Sequence, residues 1–536
     1  SSVHQMYLMR ELEVEKQKMK RISIKNLNSL IILGLKLEIM KYFLALLTIF
    51  GTSLIHSQSV EFNLDETVVT NHQVTINSQQ INYTAETGMQ PVWNQQGKPI
   101  AGLQYTYYKV SNQKKNETSK ERPLVISFNG GPGSASVWMH LAYTGPRVLN
   151  ISDEGFPVQP YGYKENPYSI LDVADIVYVN PVNTGYSRPV LDEKGNFDKS
   201  KFFGVNADVE YLAEWINTFV SRKDKWLAPK YLIGESYGTT RVAGLANKLQ
   251  NSHWMYINGV ILVSPTELGI EREGPIEVAN RLPYFTAAAW FHDKLNPELQ
   301  NKPILDALDE VERFTIQELI PALTMGGFLD SEKKKTIVEK MSYYSSIDEK
   351  VFLQNNLELP FNTFWKTLKI DDGYTVGRLD SRYLGLDGKE AGTRPDYNAE
   401  LTAWLQSFTP AINEYLKNEL NYKTDLKYNM FGNVSPWDRT QNNNTGKELR
   451  QAMAQNPSME VMIQSGLFDG ATTYFNAKYT MWHIDASGKM KDRLHFKTYE
   501  SGHMMYLRKE DLETANNDIR EFIKTSLPKA NSPIKY

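Results

Sequence analysis

The sequence predicts an α/β fold: a mostly parallel central sheet, interrupted by one large helical insertion that forms a lid. Three observations predict it. Short, continuously apolar runs recur along the chain. Amphipathic helical stretches separate them. Between about residues 270 and 450 this alternation stops and helical patterns stand alone. Apolar runs of five or six residues suit strands covered on both faces, as in a parallel sheet. Strand–helix alternation is the mark of α/β architecture.

Taken in order, residues 1–39 are charged and irregular, with acids and bases alternating from Glu11 to Arg21. From Met40 the character changes. Lys41 precedes an apolar run, Tyr42 to Phe50, and then Gly51, Thr52 and Ser53. A basic start, an apolar run of about ten residues and small residues after it describe a signal peptide. The run is short of the roughly 20 apolar residues a membrane span needs. The expectation is a signal peptide at 40–58, export to the periplasm or medium, and no stable span in the mature chain. Residues 1–39 then read as an upstream extension or as disordered, with Met40 as the true start.

Residues 72–110 alternate apolar and polar between Gly and Pro turns, which reads as antiparallel strands. The buried-strand runs follow at Pro123–Phe128, Ala174–Val179, Lys230–Ile233, Gly259–Val263, Glu460–Ile463 and Leu494–Thr498. Helical patterns lie between them, for example Ala207 to Phe219 and Arg241 to Leu249. Inside the insertion the helical stretches are Pro303 to Leu319, Asp330 to Met341 and Ala399 to Leu420. The expected organisation is therefore a sheet domain in two parts, 59–269 and 451–536, around an insertion at 270–450.

Composition narrows the function. The chain has 536 residues, 41 % of them hydrophobic and 12 % aromatic, so it can bury a large core. Formal net charge is −3, without the basic excess that nucleic-acid binding requires. There is no cysteine, which removes thiol nucleophiles, thiolate ligands and disulfides. The nine histidines are scattered, with no H-E-x-x-H, so neither a metal nor another cofactor is expected.

The strongest signal is Gly234-Glu235-Ser236-Tyr237-Gly238, directly after the run Tyr231-Leu-Ile233 and directly before a helical pattern. A sharp strand-to-helix turn exposes the serine hydroxyl, and small flanking residues keep the backbone clear of it; this is the nucleophile elbow of α/β hydrolases. Attack by Ser236 would create an oxyanion. One donor for it is the backbone N–H after the nucleophile, Tyr237; the other comes from a loop after an earlier strand. Asn129-Gly130-Gly131-Pro132-Gly133-Ser134 is such a loop, and Gly131 is the expected second donor. The serine also needs a base, and the base a carboxylate to orient it. In chain order Ser, acid, His, the candidates are Asp469, just past Val461–Ile463, and His503, just past the last strand run. His253, His292 and His483 sit in helical or aromatic contexts, and His495 lies inside a strand, so they are weaker candidates.

With these residues in hand, the chain resembles the serine carboxypeptidase family, peptidase family S10, from about Leu124 to Leu507. The motifs that carry the resemblance are Asn129-Gly-Gly-Pro-Gly-Ser134, Asn166-Pro-Tyr-Ser169, Thr184-Gly-Tyr-Ser187, Gly234-Glu-Ser-Tyr-Gly238, Gly466-Leu-Phe-Asp469 and Gly502-His503-Met504. The resemblance implies an α/β-hydrolase fold with a helical insertion, and removal of C-terminal amino acids from peptides, usually best at acidic pH. It also implies that Asn129 and Glu235 bind the substrate's terminal carboxylate. Beside that anion Glu235 would be held protonated, because a like charge raises a carboxyl pKa. The sequence departs from the family pattern at Ser127, Ser134 and Asn183. Lack of cysteine makes it more similar to bacterial exported members than to vacuolar or lysosomal ones. Two rival readings remain: an acyltransferase or esterase using the same triad, and a non-catalytic binding protein on a hydrolase scaffold.

Overall fold

The computed structural model describes residues 9–21, 63–111, 121–440, 443–528 and 531–536. The stretch 40–58, expected to be a signal peptide, lies outside the described residues. Residues 9–21, expected to be irregular, form a helix with every side chain exposed. Its charges fall at helical spacing, as in the pair Lys18–Glu15 at 3.9 Å. Among the described residues no helix is long and apolar enough to cross a membrane.

From Asn63 to Tyr536 the chain forms a second unit. Its sheet has ten strands, nine of them on one continuous path. In chain order these nine are β1 (Thr67–Ile76), β2 (Gln79–Trp93), β3 (Pro99–Val110), β4 (Leu124–Phe128), β5 (Asp175–Val179), β6 (Lys230–Glu235), β7 (Gly259–Val263), β8 (Glu460–Gly466) and β9 (Leu494–Tyr499). Across the sheet they run β1-β2-β3-β5-β4-β6-β7-β8-β9. The pairs among β1, β2, β3 and β5 are antiparallel, and every pair from β5 to β9 is parallel. The architecture is that of an α/β hydrolase. The antiparallel reading of 72–110 holds.

The parallel strands are apolar without a break because both faces are covered. Val125, Ile176, Ile233, Ile261 and Val263 point into one core, shared with the helix Lys509–Ser526. Their neighbours Leu124, Ile126, Val177, Leu232 and Leu262 point into the other, shared with the helices Val205–Arg222 and Tyr237–His253. Period-two side-chain alternation sorts each strand between the two cores. The run at Leu494 differs from expectation: β9 is the sheet edge, and His495, Phe496, Lys497 and Thr498 are partly or wholly exposed.

Winding reverses beside β4. From β4 the chain moves to β5 on one side, whereas β6, on the other side, leads away to β7. Ligands of open α/β sheets bind at the carboxyl ends of strands where the winding reverses. Register brings those ends level: Phe128 lies opposite Gly234, Glu235 opposite Val263, and Val263 opposite Gln464.

Between β7 and β8 the chain is mainly helical. Residues Ala279 to Val376 build a core of their own from helices such as Leu282–Phe291, Ile304–Phe314 and Ser331–Ser345. The helix Ala399–Glu414 instead joins a sheet core through Trp404, Phe408 and Ile412. A short hairpin, Thr375–Val376 against Leu384–Gly385, interrupts the helices and was not legible as a strand pattern. At two residues each, these strands are too short to show alternation.

Candidate active site

Ser236 sits between β6 and the helix Tyr237–His253 with φ 57° and ψ −127°. A side chain is rarely found there, and strained backbone of this kind persists only where its surroundings over-determine it. The surroundings do so here. Ser236 N–H donates to the Val263 carbonyl at 3.0 Å, and Thr239 N–H and hydroxyl return to the Ser236 carbonyl at 2.9 and 2.6 Å. Gly234 is required by the same turn, since a Cβ there would lie 2.1 Å from the Gly238 carbonyl oxygen.

Ser236 opens into a cleft of about 690 Å³ above the strand ends. Gly131, Tyr237, Glu235 and His503 line it as well. Gly131 has φ +107°, which a residue with a side chain rarely adopts. The glycine loop is tied to the elbow helix by Arg241, whose side chain is fully buried. Its Nη1 donates to the Asn129 carbonyl at 2.6 Å and its Nη2 to the Pro132 carbonyl at 3.3 Å. Its Nε donates to Asp208 at 2.8 Å, so the charge is paired where it is buried. Asp208 also accepts from the Tyr211 hydroxyl at 3.0 Å.

His503 and Asp469 meet: Nδ1 of the imidazole is 2.6 Å from Asp469 Oδ2. Asp469 is fully buried, and its other oxygen accepts from the N–H groups of Ala471 and Thr472 at 2.8 and 3.1 Å. Burial alone would lower the His503 pKa, but the Asp469 carboxylate against the ring raises it above its ordinary value. The backbone of His503 is pinned at both ends. Its N–H donates to the Leu379 carbonyl at 2.7 Å, and its carbonyl accepts from the Ser264 hydroxyl at 2.7 Å.

Glu235, one residue before Ser236, is buried at the cleft wall. Asn129 Nδ2 donates to Oε1 at 2.9 Å, and the Tyr506 hydroxyl donates to Oε2. Burial pushes the carboxyl up to about 7, against the pull of His503, Tyr506 and Asn129. A buried carboxyl at that level can carry a proton near neutrality and donate a hydrogen bond to an anion.

Five of the seven residues singled out in the sequence line one cleft, Ser236, His503, Gly131, Tyr237 and Glu235; the other two stand behind it in direct contact, Asp469 with His503 and Asn129 with Glu235. The weaker histidines do neither. His495 is 2.5 Å from Glu460 at the sheet edge, and His292 is 2.6 Å from the Ser381 carbonyl. Besides Arg241 and Asp208, three participants carry no mark in the sequence motifs. Thr472 places its hydroxyl 2.7 Å from Asp469 Oδ2 and 2.9 Å from the Ser264 carbonyl. Tyr506 reaches Glu235, and Leu379 holds His503 from within the insertion. Position offers one clue for the first two, each three residues after a triad candidate. Leu379 carries no signal, because its contribution is a main-chain carbonyl.

The family model described as serine carboxypeptidase matches residues 78–514. Pheromone-processing carboxypeptidase KEX1 of Saccharomyces cerevisiae is 28 % identical over 152 residues, covering 28 % of this chain and 20 % of the yeast protein. Serine carboxypeptidase-like 8 of Arabidopsis thaliana is 27 % identical over 157 residues, covering 28 % and 33 %. The matched segments thus span a fifth to a third of these relatives' length. The crystal structure of KEX1(delta)p, a prohormone-processing carboxypeptidase from the same yeast, aligns over 84 % of this chain and 94 % of its own. Its TM-score is 0.49, at 14 % identity.

Proposed function

Because the chain belongs to the serine carboxypeptidase family, we propose that it releases C-terminal amino acids from peptides through an acyl-enzyme formed on Ser236. The observation that carries this reading is Glu235: a buried carboxyl, pushed up to about 7 by burial, adjacent to the serine and hydrogen-bonded to Asn129. A terminal carboxylate is an anion that a neutral Glu235, held by Asn129, can serve as a hydrogen-bond donor. An internal peptide bond offers no such group.

The steps follow from the site. Ser236 Oγ attacks the last peptide carbonyl as His503 Nε2 takes its proton. The N–H groups of Gly131 and Tyr237 donate to the oxyanion. Asp469 orients the ring and stabilises the imidazolium. Collapse breaks the C–N bond, and His503 returns the proton to the leaving amine. Water then attacks the acyl-serine with His503 again as base, releasing the shortened peptide and restoring Ser236.

Paired peptides with a free or amidated C-terminus test this. The free acid should be trimmed stepwise from its end and the amide turned over far more slowly. Equal rates would favour a general esterase or acyltransferase use of the triad. Segment 270–450 serves as the lid in this proposal, supported by its contribution of Arg378, Leu379, Leu401, Phe431 and Trp437 to the cleft wall. Export completes it, resting on the basic, apolar and small residues in order from Lys41 to Ser53. N-terminal sequencing of the mature protein checks that part; a start near Ser1 would end it.

A further inference from the structure

We propose that Tyr506 is a positioning residue, whose hydroxyl fixes the face that Glu235 presents to the substrate's terminal carboxylate. The inference rests on the carboxypeptidase reading of Glu235 and adds to it a second partner outside the recognised motifs. Two donors hold the Glu235 carboxyl, one on each oxygen: Asn129 Nδ2 on Oε1 and the Tyr506 hydroxyl on Oε2. With one donor the carboxyl could swing about its last torsion, which is broad and roughly two-fold. With two it has one plane.

Tyr506 is itself held fast. Its ring is almost wholly buried and stacks on Tyr143, with centroids 4.6 Å apart and planes 12° apart. Tyr143 donates to Gln464 Oε1 at 2.6 Å, on β8, and Gln464 Nε2 donates to the Tyr499 hydroxyl at 2.8 Å, on β9. The short turn Met505–Leu507 that carries Tyr506 is closed by Leu507 N–H to the Met504 carbonyl at 3.0 Å. The same turn follows His503, so one loop supplies the candidate base and the partner of Glu235. The position of Glu235 is thereby referenced to three strands instead of to the elbow alone.

A consequence concerns pH. A donor to a carboxylate favours its charged form and lowers its pKa. The groups facing Glu235 are His503 and Asp469 from the loops after β9 and β8, Tyr506, Asn129 after β4, and Tyr143. Tyr506 is thus one of the groups pulling the carboxyl down against burial. Removing its hydroxyl lets the carboxyl hold its proton to higher pH while loosening its aim.

The test is Tyr506→Phe, which keeps the ring on Tyr143. Steady-state kinetics on paired free-acid and amidated peptides should show kcat/KM for the acid falling about 10-fold at low pH, the scale of one hydrogen bond to a charged group. The loss should appear mostly in KM, the acid-to-amide ratio should narrow, and the alkaline limb should move up. In a Glu235→Gln background the limb shift should vanish. Equal losses on acid and amide with an unmoved limb would overturn the inference and leave the carboxypeptidase reading intact. A limb shift that survives in Glu235→Gln would overturn it too. A wild type that treats acid and amide alike would remove both. Calorimetric binding of a free-acid peptide to Ser236→Ala and to Ser236→Ala/Tyr506→Phe, with thermal unfolding alongside, keeps the test independent of turnover. Weaker binding in the folded double variant is expected, and equal binding would overturn the inference.

Discussion

The carbonyl of Leu379 accepts the backbone N–H of His503 at 2.7 Å, and the carbonyl before it, on Arg378, accepts from Gly470 N–H at 3.0 Å. One bend of the insertion, between the two strands of its hairpin, therefore braces both the loop that carries Asp469 and the residue that is its partner. The bend is anchored in turn: Leu379 N–H donates to Glu400 Oε1 at 2.9 Å, from the helix Ala399–Glu414. Replacing Glu400 by Ala should leave that N–H unsatisfied, costing about 1–3 kcal/mol of stability. It should also lower kcat by roughly 10-fold with little change in KM, since orientation of the base matters most in the transition state. Thermal unfolding and steady-state kinetics together check this. An unchanged kcat would show that Leu379 holds His503 without the anchor.

Ser236→Ala should fold as the wild type does and lose hydrolysis by about 10⁶-fold in kcat, the scale seen when a nucleophile is removed from a triad. The elbow's hydrogen bonds are made by the Ser236 main chain, which Ala retains. An organophosphonate should label the wild type and not the variant. Labelling of the variant would move the nucleophile elsewhere.

Glu235 makes stability depend on pH in a definite direction. Its carboxyl is raised from 4.5 to about 7 by burial. Below pH 4.5 it is neutral in both folded and unfolded chains and contributes nothing. Between 4.5 and about 7 the unfolded chain has released a proton that the native state still holds, so stability falls as pH rises. Above about 7 the penalty is complete, on the order of 3 kcal/mol. Glu235→Gln, neutral throughout, should melt with a smaller drop between pH 4.5 and pH 8 than the wild type. It should also lose the descending limb of kcat/KM near pH 7 on free-acid peptides. Parallel melting curves would argue that Glu235 is ionised in the native protein at low pH.

Arg241 joins the glycine loop to the elbow helix, and its charge is paired with Asp208 inside the protein. Arg241→Ala would strand the Asp208 carboxylate and free the Asn129 and Pro132 carbonyls. Breaking a buried pair by removing one partner costs about 3–5 kcal/mol. Where the variant still folds, kcat should fall more than KM, because Gly131, the proposed oxyanion donor, is then no longer held. Chemical denaturation and kinetics of Arg241→Ala beside Arg241→Lys check both parts; a stable, fully active Arg241→Ala would remove this role.

Much of this protein is legible in its sequence. Unbroken apolar runs suit strands covered on both faces, because a half-exposed strand tends to alternate. The elbow could be recognised because its chemistry requires small residues at fixed positions around Ser236. Asp469 and His503, which meet at 2.6 Å, could be paired from the sequence because loops after parallel strands all open on the same edge of a sheet. The reading failed where the signal does not reside in side-chain type. At β9 an apolar-looking run proved to be an edge. The hairpin at Thr375 was too short to show a pattern, and the charges of 9–21 allowed a helix where irregular chain was expected.

The order of strands and helices and the local surroundings of Ser236 are written in the amino-acid sequence, since both depend on neighbours in the chain. The wider setting of that serine arises with the fold: Tyr506 grips Glu235, Arg241 grips the glycine loop, and Leu379 steadies His503. These contacts join residues 109 to 271 positions apart and run largely through backbone carbonyls or single hydroxyls. Such groups occur throughout the chain, and only their meeting in space gives them a role.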